Sequence, residues 1–253
     1  MKLLNLELHT TNLEATRFFY VRRLGLPLLS SSEAHLTVMI GWTRLTFRLV
    51  YQPVAPYHLA INVPRGSLEV AMYYFVFDYV ATGAPGKTIA DSPDWRARSC
   101  YFYDNGGNLL EFIARTDLAL ANPNLTIYDL FQGVSELGVA TEDVAHTTAL
   151  IQRRFGVRQF TRTTLAPDFN ALGDDTGLFI VSLVGRKWLF SNTPAGLNYW
   201  RAEFINASAV RSDYVKLDYE HQPAEAVQVL YSYEVNRLPI GAGKEVEPSA
   251  VLA

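Results

Sequence analysis

Cysteine is almost missing from this chain. Cys100 is the single one in 253 residues, which excludes an internal disulfide framework and every multi-cysteine metal site. Apart from Arg98 no basic residue lies close to it, so it reads as a small buried hydrophobe rather than a nucleophile. Charge of one sign is missing too: 22 Lys and Arg stand against 25 Asp and Glu, for a net −3. That balance gives no electrostatic reason to expect nucleic acid or an anionic membrane as a partner. Long apolar runs are absent. The stretch GLFIVSLVG at 177–185 is too short to span a bilayer, and Asn5 and Glu7 interrupt the N-terminal MKLLNLELHTT where a secretory leader would be apolar. The expectation is a soluble, cytoplasmic protein. No His-Glu-x-x-His, Gly-x-Ser-x-Gly or Gly-x-Gly-x-x-Gly is present. GAPGKT at 83–88 imitates a phosphate loop but has the wrong spacing and an internal proline.

What the chain does have is a repeat. In LLNLELHTT, Leu4, Leu6 and Leu8 point one way and Asn5, Glu7 and His9 the other, the period of a half-buried strand. Asn12 then caps a helix with a stripe at Leu13, Tyr20 and Leu24, closed by Gly25. The same landmarks return 131 residues on: Asp143 for Asn12, and RRFG at 153–156 for RRLG at 22–25. Without a gap, Asn5 falls on Glu136. This is the mark of an internal duplication. Each copy divides into two smaller units. The second unit of copy one runs from YHLAINV (57–63) through an expected helix at 67–80 to the hairpin YFYDNGGNLLEFIAR (101–115). Copy two offers strands within 171–190 and a strand followed by a helix within 213–233, and its last unit is truncated or remodelled. The expected division is 1–117, then 133–236, then a tail at 237–253, with Asn-Pro-Asn punctuating the linker.

Strands backed by helices bury one face and leave the other free to line a hollow. In copy one, parity gathers Asn5, Glu7, His9, Arg44, Thr46, Arg48, His58, Asn62 and Glu111 on that second face. Glu111 is the odd residue, a carboxylate between Leu110 and Phe112. One reading is a polar cup. The other is a sheet face open to water.

Three segments resemble the vicinal oxygen chelate superfamily of glyoxalases, extradiol dioxygenases, and fosfomycin-resistance and bleomycin-binding proteins. LELHTTNLEATRFFYVRRLGLPLL resembles its first strand and helix, HLAINVP the start of its second module, and FYDNGGNLLEFIAR its closing hairpin with the terminal Glu. LGVATEDVAHTTALIQRRFGV repeats the first at 137–157. The resemblance implies an α+β fold of tandem βαβββ modules forming two cupped mixed sheets flanked by helices. Of the metal positions it implies, His58 and Glu111 are kept, while Asn5 and Thr46 replace the other two.

The expected site therefore lies in the first copy. His58, Glu111 and Glu7 would bind a divalent Fe, Mn, Ni or Zn ion, with Glu7 and Glu111 as catalytic carboxylates. His9, Arg48, Asn62 and Tyr103 would contact substrate, Arg48 as a clamp for a carboxylate or phosphate. Tyr57, Tyr101 and Trp42 are further wall candidates. The resemblance implies metal-assisted lyase, isomerase or dioxygenase chemistry on a small oxygen-rich molecule, and allows a homodimer. The alternative is a metal-free protein that sequesters a small molecule, as bleomycin-binding relatives do.

Overall fold

The computed structural model describes residues 1–83, 85–118 and 130–206, together with the backbone of 214–219 and 231–233. The chain opens with strand β1 (Lys2–Thr10), helix α1 (Leu13–Arg17) and strands β2 (Leu28–Ser31), β3 (His35–Ile40) and β4 (Thr43–Leu49). A second unit follows: β5 (His58–Val63), α2 (Leu68–Tyr74), β6 (Ala90–Ser92), β7 (Ala97–Tyr103) and β8 (Leu109–Arg115). The third holds β9 (Gly133–Thr141), α3 (Val144–Phe155), β10 (Phe169–Asp174) and β11 (Gly177–Leu183). Strands β12 (Trp200–Ile205), β13 (Tyr214–Tyr219) and β14 (Tyr231–Tyr233) complete it.

The repeat landmarks are structural. The Asn12 side chain accepts from the Ala15 amide at 2.9 Å and Asp143 from the His146 amide at 2.8 Å, so both helices are capped alike. Gly25 (φ 66°) and Gly156 (φ 61°) end them in the left-handed region. The first helix widens into a π-helical turn at Phe18–Arg23, which keeps Phe19 and Tyr20 buried. The helix expected over 67–80 stops at Tyr74. Beyond it Phe77 stacks on Phe102 with centroids 4.5 Å apart, and Tyr79 meets the same ring edge-on, so extended chain inserts alternate aromatics where a helix would splay them. In the 104–108 hairpin, Asp104 accepts from the Gly106 and Asn108 amides and from the Tyr20 hydroxyl, tying the second unit to the first.

The strands do not pair half by half. One sheet runs β14-β13-β12-β1-β4-β3-β2 and the other β10-β11-β9-β5-β8-β7-β6. Sheet one therefore joins the first and last units, sheet two the second and third. Strands from the 1–117 and 133–236 stretches are interleaved in both sheets, because β1 pairs with β12 and β5 with β9, each antiparallel. The helix expected after residue 219 and the 237–253 tail lie outside the described residues.

A shared apolar core lies on the inner faces. Leu59, Ile61, Leu110, Phe112, Leu137 and Val139 contribute from sheet two, and Leu3, Leu6, Leu8, Leu45 and Phe47 from sheet one. Leu3 rather than Leu4 is the buried residue at the start of β1, because a bulge shifts the register between Leu3 and Asn5. Strand β9 shifts register at the corresponding place, where Val134 faces Ile61 and Glu136 faces Ala60. An added residue reverses strand parity. Val134 stays in the core while Glu136 turns to the opposite face.

Candidate metal centre

That face is the concave side of sheet two. His58 comes from β5, Glu111 from the neighbouring β8 and Glu136 from β9 on the other flank. They are 6%, 3% and 5% exposed. The His58 Nε2 lies 3.6 Å from Glu111 Oε2 and 3.7 Å from Glu136 Oε2. One donor atom from each falls within 4.8 Å of the others. Ligands about 2.0–2.2 Å from a common ion stand at such separations. His58 Nδ1 is 3.2 Å from the Leu109 carbonyl, so its N–H donates there and Nε2 is the nitrogen that faces the acids and would be the one offered to an ion.

Two carboxylates buried against one imidazole require compensation. Glu136 has it: Arg115, 0% exposed, donates through Nη2 to Glu136 Oε1 and through Nε to Ser135 Oγ at 3.1 Å. Its Nη1 is 3.6 Å from Asp175, which Arg162 holds in turn at 2.6 Å. Burial works to raise the Glu136 pKa, but His58 and Arg115 outweigh it and hold the group below the ordinary carboxylate value. Among the described residues Glu111 has no such arginine in contact. Burial first, then the Glu136 charge, push it up to about 7. Burial pulls the His58 pKa down, and the two acids with the Leu109 carbonyl more than reverse that. The donor set fits a divalent cation: one carboxylate is held ionised by Arg115, the other has only the shared His58 as a basic contact among the described residues, and His58 is oriented through Nδ1 so that Nε2 faces both.

A cavity of ≈ 150 Å³ opens above the three. Its walls include Trp95, Tyr101, Phe169, Ile180 and Trp188, with Arg186 also lining it. Arg186 also donates to Asp168 at 3.1 Å and lies over the Phe169 ring. Trp188, in the segment after β11, packs on His58 with centroids 5.2 Å apart. Gly138 makes room for that contact, since a Cβ there would stand 2.8 Å from the Trp188 ring and 3.0 Å from His58 Cβ.

The sequence-predicted residues divide accordingly. His58 and Glu111 come together as parity required. Glu7 does not join them. It lies in sheet one, where its Oε2 is 2.8 Å from Arg48 Nε and its Oε1 accepts from the Tyr199 hydroxyl. Arg48 and His9 are in the same sheet, His9 stacked on Tyr199 at 4.2 Å. Asn62 shares the strand of His58 but is buried beyond the cavity, near the Asp175 carbonyl. Tyr103 reaches Thr193 at 3.2 Å at the exposed edge, and Tyr101, one pleat inward, takes the cavity wall. Tyr57 is a core residue bonded to the Tyr199 carbonyl, and Trp42 packs against Gly133. Sequence reasoning did not place Glu136 in this cluster, nor Arg115, Trp95, Trp188 and Arg186 around it. The signal for Glu136 was its gapless alignment with Asn5. Arg115 carried none, since it ends the same strand as Glu111 as an ordinary terminal arginine would.

No family model and no curated protein matches the chain. Solved structures do. A candidate dioxygenase from Bacillus subtilis is similar at 18% identity and a TM-score of 0.54, over 78% of this chain and 65% of that one. This chain thus spans about two thirds of that protein's length. Glyoxalase I from Zea mays is similar at 14% identity and a TM-score of 0.47, over 72% of this chain and 66% of that one. A lactoylglutathione lyase from Agrobacterium tumefaciens covers 44% of this chain and 91% of its own at 15% identity and a TM-score of 0.37. The fold is that of the vicinal oxygen chelate superfamily, two curled mixed sheets with three α-helices among the described residues. Within those residues no helix is long and apolar enough to cross a membrane.

Proposed function

We propose that the cup of sheet two is the active site of a metal-dependent isomerase or lyase that moves a proton on a small oxygen-rich substrate. His58, Glu111 and Glu136 would hold the ion, which when bound supplies Lewis-acid polarisation of substrate oxygens. Two carboxylates and one imidazole make a harder donor set than the two-histidine, one-carboxylate triad of iron oxygenases, which favours proton transfer over oxygen activation.

The observation that carries this reading is the unequal treatment of the two acids. Arg115 keeps Glu136 ionised and oriented. Glu111 has no arginine of its own among the described residues; in the metal-free site burial and its neighbour's charge push it up to about 7, and it is the acid we assign to take and return the proton. Trp95, Tyr101 and Trp188 exclude water and hold the carbon skeleton, and the ≈ 150 Å³ hollow limits it to a small molecule.

Metal content of protein purified without chelator tests the ligand set. One equivalent is expected in wild type and none in His58→Ala or Glu136→Gln. Proton transfer is read by NMR, as solvent deuterium washing into the carbon beside the carbonyl of α-hydroxycarbonyl compounds, lost in Glu111→Gln. A wild type with no bound metal that still binds small aromatic molecules would favour sequestration instead.

A further inference from the structure

The outer face of sheet one forms a second cup, and its chemistry is reversed. Pairing registers allow the two cups to be compared position by position. The bulge that delivers Glu136 from β9 has its counterpart in β1, where it delivers Asn5. Two residues on, Gly138 packs against His58, while Glu7 pairs with Arg201. An acid and an imidazole in one cup are thus an amide and a guanidinium in the other.

More arginine comes from β4. Arg44 and Arg48 are four residues apart on one strand, so both rise from the same side with Thr46 between them. Their backbone positions are about 13 Å apart, at roughly 3.3 Å per residue. His35 faces Arg48 and Thr37 faces Thr46 across the ladder, the two threonine hydroxyls 3.0 Å apart. A cavity of ≈ 500 Å³ lies over Arg44, Thr46, Arg48 and His35. A second of ≈ 220 Å³ adjoins it over Asn5, Arg44 and Arg201. Glu7 borders both, but each of its oxygens is engaged, one by Arg48 and one by Tyr199. Glu203, at the far side, accepts from the Asn5 amide. Arg44 is exposed, borders both cavities and makes no ion pair among the described residues.

We propose that this cup binds a small dianion, a phosphate or a dicarboxylate, with Arg44 as the principal cation and Arg48 beside it. A concave wall concentrates the field of its charges, and a guanidinium offers paired donors to a planar or tetrahedral oxyanion. Neither feature depends on the metal reading of the other cup.

Calorimetry and thermal unfolding at low ionic strength, on chelator-treated protein, test it with inorganic phosphate and succinate in separate arms and chloride as the control. Saturable binding of either is expected, with a rise in Tm of a few degrees at ten times Kd. The arm that binds says whether the headgroup is tetrahedral or carboxylate. Arg44→Ala should weaken it about tenfold or more, the loss of one charge-assisted contact, and should leave the fold intact because its side chain is exposed. His58→Ala should bind like wild type, which separates this site from the metal centre. The proposal is overturned if chloride at matched ionic strength stabilises as much, if neither anion binds, or if Arg44→Ala binds with unchanged affinity.

Discussion

Replacing Arg115 by Met tests the centre where it is most constrained. The guanidinium is 0% exposed and answers two carboxylates, Glu136 and Asp175. Asp175 keeps Arg162 at 2.6 Å after the change. Glu136 does not keep a full counter-charge, because His58 is shared with Glu111. Removing one partner of a buried ion pair typically costs about 3–5 kcal/mol. At about 2–4 °C per kcal/mol for a chain near this size, Tm should fall by roughly 6–20 °C. A divalent ion at the three ligands restores positive charge beside Glu136, so saturating metal should return much of that loss. Glu136→Gln added to Arg115→Met should also return about 2 kcal/mol or more, as the uncompensated charge is gone. Urea unfolding of the four proteins, with chelator and with metal, gives the cycle. A chelated Arg115→Met within about 1 kcal/mol of wild type, or a double mutant no better than the single, would show that Arg115 does not hold Glu136 as described.

The remaining tests follow from the same geometry. In chelated protein, Glu111 and His58 are both raised above their unfolded values. The native state then binds more protons than the unfolded state between the paired values, so stability should fall as pH rises from about 4.5 through 7 and beyond. With metal the sign reverses, since the ion displaces those protons, and Tm measured against pH in the two conditions should show opposite slopes. Gly138→Ala forces a methyl to 2.8 Å from the Trp188 ring; about 1–3 kcal/mol of destabilisation and altered tryptophan fluorescence are expected by overpacking, with weaker metal binding in a titration. Glu7→Gln should leave metal content unchanged and cost less than about 1 kcal/mol in urea unfolding, because its partner Arg48 is half exposed.

Most of the architecture was legible because it rests on local chemistry. Asn12 and Asp143 cap helices, Gly25 and Gly156 end them, and Asp104 closes a hairpin, each through contacts a few residues away. His58 and Glu111 were legible for a related reason: they sit on parallel neighbouring strands of one unit, where parity alone decides the face. Glu136 was not, although its position in the repeat was visible. Two facts outside local sequence decide its role. One is which strand β9 pairs with, and the other is the bulge that reverses parity before it. The same pair of facts displaces Glu7, whose alternation pattern is as good as that of Glu111 but whose strand belongs to the other sheet. Trp188 was hidden by its setting, since the irregular segment after β11 has no periodicity to read.

The interleaved pairing also accounts for two cups of opposite character in one chain. Each sheet receives one strand of the β1 type and one of the β5 type, so each cup is built by both halves of the duplication and neither half carries a site alone. The character of a cup then hangs on few positions. With Glu136, Gly138 and His58 at the seam, the hollow gathers acids and admits Trp188 as a wall. With Asn5, Glu7 and Arg201 there, Glu7 is engaged by Arg48 from the neighbouring strand and Arg44 is left facing the hollow. Putting Glu7 at the place of Gly138 would drive a side chain into Trp188 and His58, so a carboxylate at that position is incompatible with the aromatic wall. Glu7, the expected third ligand, thus stands at the repeat position where the cup of sheet two has room only for a glycine.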